Sequence, residues 1–179
     1  MKTMIVYSSK TGFTKRYAQW LAEALGAEMI PFEEARKKDD SFFSDADAIL
    51  YGGWSMAGKI TNVEWFKGKI PGWKGKKLAL FCVGASPAEI KEVEQLLQNV
   101  LTDEEKKVAK AFYCQGGLAY DKMSLPCKIM MKAFAGMMKN KKDATKQEQD
   151  MTKLICQSYD ASDRKFIEPI VEYIQGSKE

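Results

Sequence analysis

Short apolar runs alternate with amphipathic patterns of helical period along most of the chain. The runs have the length of strands and are apolar throughout, which is typical of strands buried on both faces of a parallel sheet. We therefore predict an α/β fold. The predicted strands are 2–8, Glu28–Phe32, Ala48–Tyr51, Lys77–Val83 and Lys110–Cys114. The predicted helices are Thr14–Leu25, Val63–Lys67, Ala88–Leu97, 124–142 and a last helix that begins after Ser162 or Asp163 and runs to Ile174.

Length and composition predict one domain over residues 1–179, because the chain contains no internal repeat, linker or low-complexity tract. With 45% hydrophobic residues it can bury a core of ordinary size. The N-terminus opens on a predicted strand, and the four cysteines form no CxxC pair. Both features favour a cytoplasmic protein with reduced thiols.

The chain has no histidine. Its absence removes the usual general base, the commonest metal ligand and the Ser/His and Cys/His catalytic arrangements. An enzyme of this composition is expected to take its chemistry from a cofactor.

The first predicted strand ends in a turn rich in hydroxyl groups, residues 8–14 (SSKTGFT), which we call loop 1. A helical pattern follows at once, so unpaired N–H groups and the positive end of a helix dipole lie beside these hydroxyls. This arrangement is typical of a phosphate site. Loop 1 contains neither GxxxxGK[ST] nor GxGxxG, which disfavours a nucleoside triphosphate and a dinucleotide. The alternative is an ordinary strand-to-helix turn with Ser or Thr as the N-cap.

The pattern Ser9-x-Thr11-Gly12-x-Thr14 resembles the phosphate loop of flavodoxins, which bind FMN. The resemblance implies a flavodoxin-like three-layer sandwich. Its five-stranded parallel sheet would have the order 2-1-3-4-5, with helices on both faces and an added helical segment after strand 5. It also implies a phosphate site built from Ser9, Lys10, Thr11, Gly12, Phe13 and Thr14.

Two further loops of small residues follow the third and fourth predicted strands: loop 2 (residues 52–58) and loop 3 (residues 83–88). In an open parallel sheet, ligands bind outside the carboxyl ends of the strands where the winding direction switches, here between strands 1 and 3. In flavodoxins a peptide of the second loop flips when the ring is reduced, and Gly58 stands at the matching place. The residues expected to contact the flavin are Trp54, Ser55, Met56, Ala57, Gly58, Gly84, Ala85, Ser86 and Tyr120.

Loop 3 departs from flavodoxins that carry electrons, because it contains no aromatic residue to cover the second face of the ring. Either Tyr120 reaches over that face or the face stays open to a substrate. An open face favours an enzyme. Trp54 has an alternative interpretation as a core tryptophan at a strand end.

Residues 122–153 hold eight lysines and three acidic residues, a net charge of +5, whereas the rest of the chain holds 20 basic and 21 acidic residues. Lys128, Lys132 and Lys139 fall on one side of the predicted helix, opposite a broad arc of Ile, Met, Ala and Phe. Three interpretations stay open: a packed helix with a solvated lysine stripe, a helix on the inner surface of the membrane that faces lipid or quinone, and a docking surface for a partner or second copy. Nucleic-acid binding is not expected, because interleaved aromatic residues are missing.

Residues 116–120 (GGLAY), the helix rich in Met and Lys, and Ser158-Tyr159-Asp160 resemble the flavodoxin-domain group that includes menaquinone-dependent protoporphyrinogen oxidase. In that group FMN passes electrons from a reduced substrate to a membrane quinone. The chain differs in its short loop 3, which lacks a basic insertion, and in Thr11, where the oxidase tends to carry an acid.

We therefore hypothesise an FMN-dependent oxidoreductase that passes electrons from a reduced donor to a quinone or similar acceptor. The alternatives are a flavodoxin that shuttles electrons between redox partner proteins and a flavin-free adaptor of the same fold. The net charge of +4 disfavours an ordinary shuttle, since such flavodoxins are usually acidic.

Overall fold

The computed structural model describes residues 1–56, 58–140 and 157–176 of the chain, whose strands and helices alternate over the first 115 residues. The strands are β1 Thr3–Tyr7, β2 Glu28–Pro31, β3 Ala48–Met56, β4 Lys59–Ile60, β5 Lys77–Gly84, β6 Ala109–Gln115, β7 Gly117–Leu118 and β8 Tyr159–Asp160. The helices are α1 Phe13–Leu25, α2 Phe32–Ala35, α3 Val63–Lys69, α4 Lys91–Val100, α5 Asp103–Lys106, α6 Leu125–Lys139 and α7 Glu168–Gln175. Turns of 3₁₀ helix cover Asp40–Phe43, Ile70–Gly72, Tyr120–Lys122 and Arg164–Ile167.

The main sheet has the strand order β2-β1-β3-β5-β6, with all of these pairs parallel and the short β4 added antiparallel to β3. The predicted order 2-1-3-4-5 is confirmed, because β5 and β6 are the fourth and fifth predicted strands. Tyr7 pairs with Gly52, and Gly84 pairs with Gln115. The carboxyl ends of the strands therefore meet at one edge of the sheet.

Helices cover both faces of the sheet, which gives the three layers of a flavodoxin-like fold. On one face Tyr17 of α1 and Ile170 of α7 share a core cluster with Ile5, and on the other face Phe66 of α3 and Val93 of α4 belong to a second core cluster. Both faces of the inner strands are thus apolar and buried, which explains their uninterrupted hydrophobic runs. Each large side chain buried here stabilises the fold by roughly 1.5–3 kcal/mol.

The third strand is longer than predicted, because two glycines of loop 2 join the ladder. A Cβ atom at Gly52 would lie 2.1 Å from Cζ of Phe81, and one at Gly53 would lie 2.6 Å from Cγ2 of Ile60. Only glycine fits this close approach, so the Gly-Gly pair extends β3 instead of ending it.

Other details also differ from the predictions. Helix α4 begins at Lys91 instead of Ala88, since Ile90 is still in extended conformation at its N-cap. The predicted helix 124–142 is helical over Leu125–Lys139, and residues 141 and 142 lie outside the described part. The antiparallel pair β7–β8 was not predicted. No helix in the described ranges is long and apolar enough to cross a membrane.

Candidate functional site

Loop 1 places several backbone N–H groups at the N-terminus of α1 that have no acceptor among the described residues. Gly12 is the N-cap at φ 104°, a left-handed conformation that glycine adopts without strain. Its N–H group donates to Oγ of Ser9 at 3.2 Å. Among the described residues, no protein acceptor is found for the N–H groups of five neighbours: Ser9, Lys10, Thr11, Phe13 and Thr14. Free donors of this kind at the positive end of a helix point to an anion.

The charges around this helix end favour an anion as well. The first turn of α1 contains no acidic residue, although acidic residues are the ones that stabilise such a position. It contains Lys15 and Arg16 instead, and Arg16 forms an ion pair with Asp160. Lys10, Lys15 and Glu33 line a cleft of about 470 Å³ at loop 1. A bound anion would offset the repulsion between the helix dipole and these two lysines.

Hydrogen bonds fix loop 1 against the neighbouring strand and loop. The N–H group of Ser8 donates to the carbonyl of Gly52 at 2.8 Å, and Nδ2 of Asn62 donates to Oγ of Ser8 at 3.3 Å. Thr14 is only 1% exposed, so its side chain is enclosed at the start of α1. The site therefore rests on the rigid ends of β1 and β3.

Loop 2 is a β-hairpin in the structure. Ser55 pairs with Ile60 and Met56 pairs with Lys59, and Gly58 in the turn has φ 74°. Met56 is 51% exposed. Ala57, another predicted contact, lies outside the described residues.

Trp54 of loop 2 lies next to Lys10 of loop 1. It belongs to neither core cluster, and the ammonium of Lys10 lies 5.9 Å from its ring centre. The carbonyl of Trp54 accepts hydrogen bonds from the N–H and hydroxyl groups of Thr61, both at 3.0 Å. The alternative of a core tryptophan is therefore wrong, and the ring faces the edge where the candidate site lies.

Loop 3 is held by two tyrosine hydroxyls. Tyr113 donates to the carbonyl of Ser86 and Tyr159 donates to the carbonyl of Ala85, each at 2.7 Å. Burial raises the pKa of both phenols, so both remain protonated donors at neutral pH. A Cβ atom at Gly84 would lie 2.5 Å from Oη of Tyr113, which makes glycine necessary here.

Tyr159 is the functional candidate that the pattern analysis missed. It lies in β8, which pairs with β7 near the end of the main sheet. Tyr120, which the sequence offers as one of two possibilities at the second face of the ring, lies in the turn before α6 with the Lys128 ammonium 5.5 Å from its ring centre. Of the two tyrosines near the β7–β8 pair, Tyr159 is the one that donates a hydrogen bond to loop 3. The motif Ser158-Tyr159-Asp160 is the part of the sequence that could have pointed to Tyr159. Strands β7 and β8 have two residues each, which is too short for a periodic pattern that would predict their pairing.

The side chain of Phe13 packs away from the free donors of loop 1. A Cβ atom at Gly116 would lie 3.3 Å from Cβ of Phe13, and one at Gly117 would lie 2.9 Å from its Cζ. Phe13 thus anchors the start of α1 on the β7–β8 pair, and only its N–H group remains for a ligand.

The described residues contain no cluster of three potential metal ligands. Burial raises the pKa of the Cys82 thiol to about 12, and burial also raises that of Cys114. Neither thiol is therefore a nucleophile at neutral pH. The chemistry available at this edge is hydrogen bonding to a bound group.

A family model described as "Flavodoxin domain" matches residues 4–145. The chain belongs to the flavodoxin domain family. No curated protein matches it.

Solved structures similar to this flavodoxin domain include flavodoxins from bacteria and archaea. Two-electron reduced Megasphaera elsdenii flavodoxin has 25% identity over 62% of this chain and 82% of its own, with a TM-score of 0.47. Oxidised Flavodoxin 2 from Bacillus cereus has 21% identity over 64% and 84%, with a TM-score of 0.46. A flavodoxin from the domain Archaea has 16% identity over 87% and 94%, with a TM-score of 0.44.

Proposed function

We propose that this flavodoxin domain binds FMN and is an oxidoreductase that passes electrons from a reduced donor to a quinone or similar acceptor. The observation that carries the proposal is the set of five N–H groups in loop 1 without an acceptor among the described residues. A phosphate monoester fits these donors, since its oxygens accept several charge-assisted hydrogen bonds at once. The hydroxyls of Ser9, Thr11 and Thr14 would complete the site.

FMN, when bound, supplies the electron-transfer chemistry, and the protein supplies position and hydrogen bonds. Loop 2 offers the Trp54 ring as an apolar surface and Gly58 as a flexible peptide. Loop 3 offers the N–H group of Ser86. Because the trans peptide places its N–H opposite its C=O, the bond from Tyr159 to the Ala85 carbonyl turns this N–H away from Tyr159. No acceptor for it is found among the described residues.

Two features support an enzyme over a shuttle. Loop 3 contributes no aromatic side chain, so a flavin face would stay accessible to a substrate. The net charge of +4 also disfavours docking to the basic sites that acidic flavodoxins use. The second candidate is an electron shuttle, favoured by membership of the flavodoxin domain family.

A finer proposal places the chain near the flavodoxin-domain group that includes menaquinone-dependent protoporphyrinogen oxidase. The two segments that carry this resemblance, residues 116–120 and 158–160, meet as the pair β7–β8. Their contact supports treating them as one feature. If the chain is close to this group, a porphyrinogen is the first electron donor to test.

Titration of the purified protein with FMN tests the cofactor. Thr14→Val replaces the hydroxyl of a buried residue with an isosteric methyl and should weaken FMN binding by about 1–3 kcal/mol, measured by calorimetry. Thr3→Val is the matched control, because Thr3 is equally buried but lies at the opposite end of β1. Unchanged affinity in Thr14→Val, or an equal loss in Thr3→Val, would contradict the proposed phosphate site.

Turnover assays on the FMN-loaded protein test the enzyme. Reduction of a soluble quinone by a chemical or porphyrinogen donor should be catalysed by the loaded protein and should be lost after FMN is removed. A loaded protein that exchanges electrons only with other redox proteins would favour the shuttle instead.

A further inference from the structure

Helix α6 presents a continuous apolar surface to solvent. Leu125, Ile129, Met130 and Met137 are 71%, 60%, 52% and 73% exposed. Residues 125, 129, 133 and 137 recur every fourth position, so they share one side of the helix. We call the exposed apolar residues of this side the α6 face: Leu125, Ile129, Met130, Ala133 and Met137.

The opposite side of α6 is the more buried one. Ala135 is only 5% exposed, and Cys127 and Met131, at the same four-residue spacing, are half-buried. Lys128 is also half-buried, since its ammonium donates to the carbonyl of Asp121 at 3.2 Å. Of the lysine stripe that the sequence predicts, Lys132 is exposed and Lys128 is half-buried, and the exposed side of the helix also carries large apolar residues.

The charge around the α6 face is positive. The helix contains three lysines and no acidic residue. Lys132 is exposed on the helix one turn from Ile129, and Lys122 is exposed just before it. The side chain of Lys139 lies outside the described part. Among the described residues, Lys122 and Lys132 therefore give the apolar α6 face a basic rim.

We propose that the α6 face docks on a membrane surface that contains anionic lipids. An anionic bilayer supplies both components at once, acyl chains for the apolar side chains and headgroups for the lysines. A second copy of the chain would bring the same positive segment against this one, and the like charges would repel.

The inference does not depend on flavin. It concerns a helix outside loops 1 to 3, and it predicts the same lipid binding for the Thr14→Val protein as for the wild type. Failure of FMN binding and failure of membrane docking are therefore separate results.

Co-sedimentation with vesicles tests the proposal. The full chain should sediment with vesicles of phosphatidylcholine and phosphatidylglycerol in equal parts and bind pure phosphatidylcholine several-fold more weakly. The double variant Leu125→Gln/Ile129→Gln should weaken binding by roughly tenfold or more, since two exposed apolar side chains lose their burial in lipid. Lys132→Glu should weaken it by at least about fivefold, the effect expected for one lysine at an anionic surface.

Matched controls separate the α6 face from general changes in polarity and charge. Val108→Gln replaces an apolar residue that is 48% exposed elsewhere, and Lys37→Glu makes the same charge change at an exposed site. Both controls should bind vesicles like the wild type. If the double variant fails to fold, vesicle binding by Met137→Gln tests the α6 face independently.

Three results would overturn the proposal. One is a wild-type protein that does not sediment with anionic vesicles, and another is a set of α6 variants that bind these vesicles as well as the wild type. The third is a lipid-free dimer, seen by analytical ultracentrifugation, that Met137→Gln dissociates. That outcome would assign the face to a second copy.

Discussion

Replacing Gly84 with alanine should disturb the contact that holds loop 3. The new Cβ atom would lie 2.5 Å from Oη of Tyr113 and 2.8 Å from Oγ of Ser55. The tyrosine cannot retreat freely, because it is 9% exposed and donates to the carbonyl of Ser86 at 2.7 Å. Overpacking of this kind costs about 1–3 kcal/mol of unfolding free energy.

A double-mutant cycle isolates the clash from other effects. Tyr113→Phe alone should cost about 0.5–1.5 kcal/mol, the net value of its hydrogen bond. In the Tyr113→Phe background the oxygen nearest to the new methyl is gone. Gly84→Ala should therefore cost about 1 kcal/mol less there than in the wild type, a coupling typical of residues in contact.

Urea unfolding followed by circular dichroism measures all four proteins on one scale. Gly68→Ala is the control, because its Cβ would meet no atom within 4 Å inside α3, and it should be neutral or stabilising. A Gly84→Ala protein as stable as the wild type, or strictly additive costs, would refute the proposed contact between Gly84 and the tyrosine.

Three other predictions concern stability and reactivity. Thr3→Val should raise the unfolding free energy by about 1 kcal/mol in urea titrations, because the buried Thr3 hydroxyl has no partner among the described residues. Burial would raise the pKa of Asp160, but hydrogen bonds from Arg16 and other donors outweigh it and hold the pKa below its ordinary 3.8. The resulting stabilisation is present above about pH 4 and disappears as the pH falls through the lower native value, so Asp160→Asn should flatten the acid limb of a stability profile. Iodoacetamide at neutral pH should label the half-buried Cys127 before Cys82, whose thiol has a pKa of about 12, as read by peptide mass spectrometry.

The sheet could be predicted because each inner strand is buried on both faces and therefore carries an uninterrupted apolar run. The strand bounds fell within a few residues at all five strands, apart from the carboxyl end of β3. There the local rule that Gly-Gly ends a strand failed. The deciding contact is Phe81 of the neighbouring strand, which lies 29 residues further along the sequence.

The candidate site could be predicted where it is local and not where it is assembled by tertiary contacts. Loop 1 is one continuous segment, and its free N–H groups follow from the start of α1 directly after it. The bond from Tyr159 to Ala85 joins residues 74 positions apart, so no pattern in the sequence indicates it. Whether Ile129 is exposed stayed open in the sequence for a related reason. Periodicity separates an apolar from a polar side but does not say which side the body of the protein covers.

The central claim is that loop 1 binds the phosphate of FMN, and comparing FMN with riboflavin tests it most directly. The two ligands differ only in the phosphate group. With hydrogen bonds to a charged group worth about 1.5–3 kcal/mol each, two such bonds predict that calorimetry will find FMN bound at least about 100-fold more tightly than riboflavin. Riboflavin bound as tightly as FMN would contradict the claim.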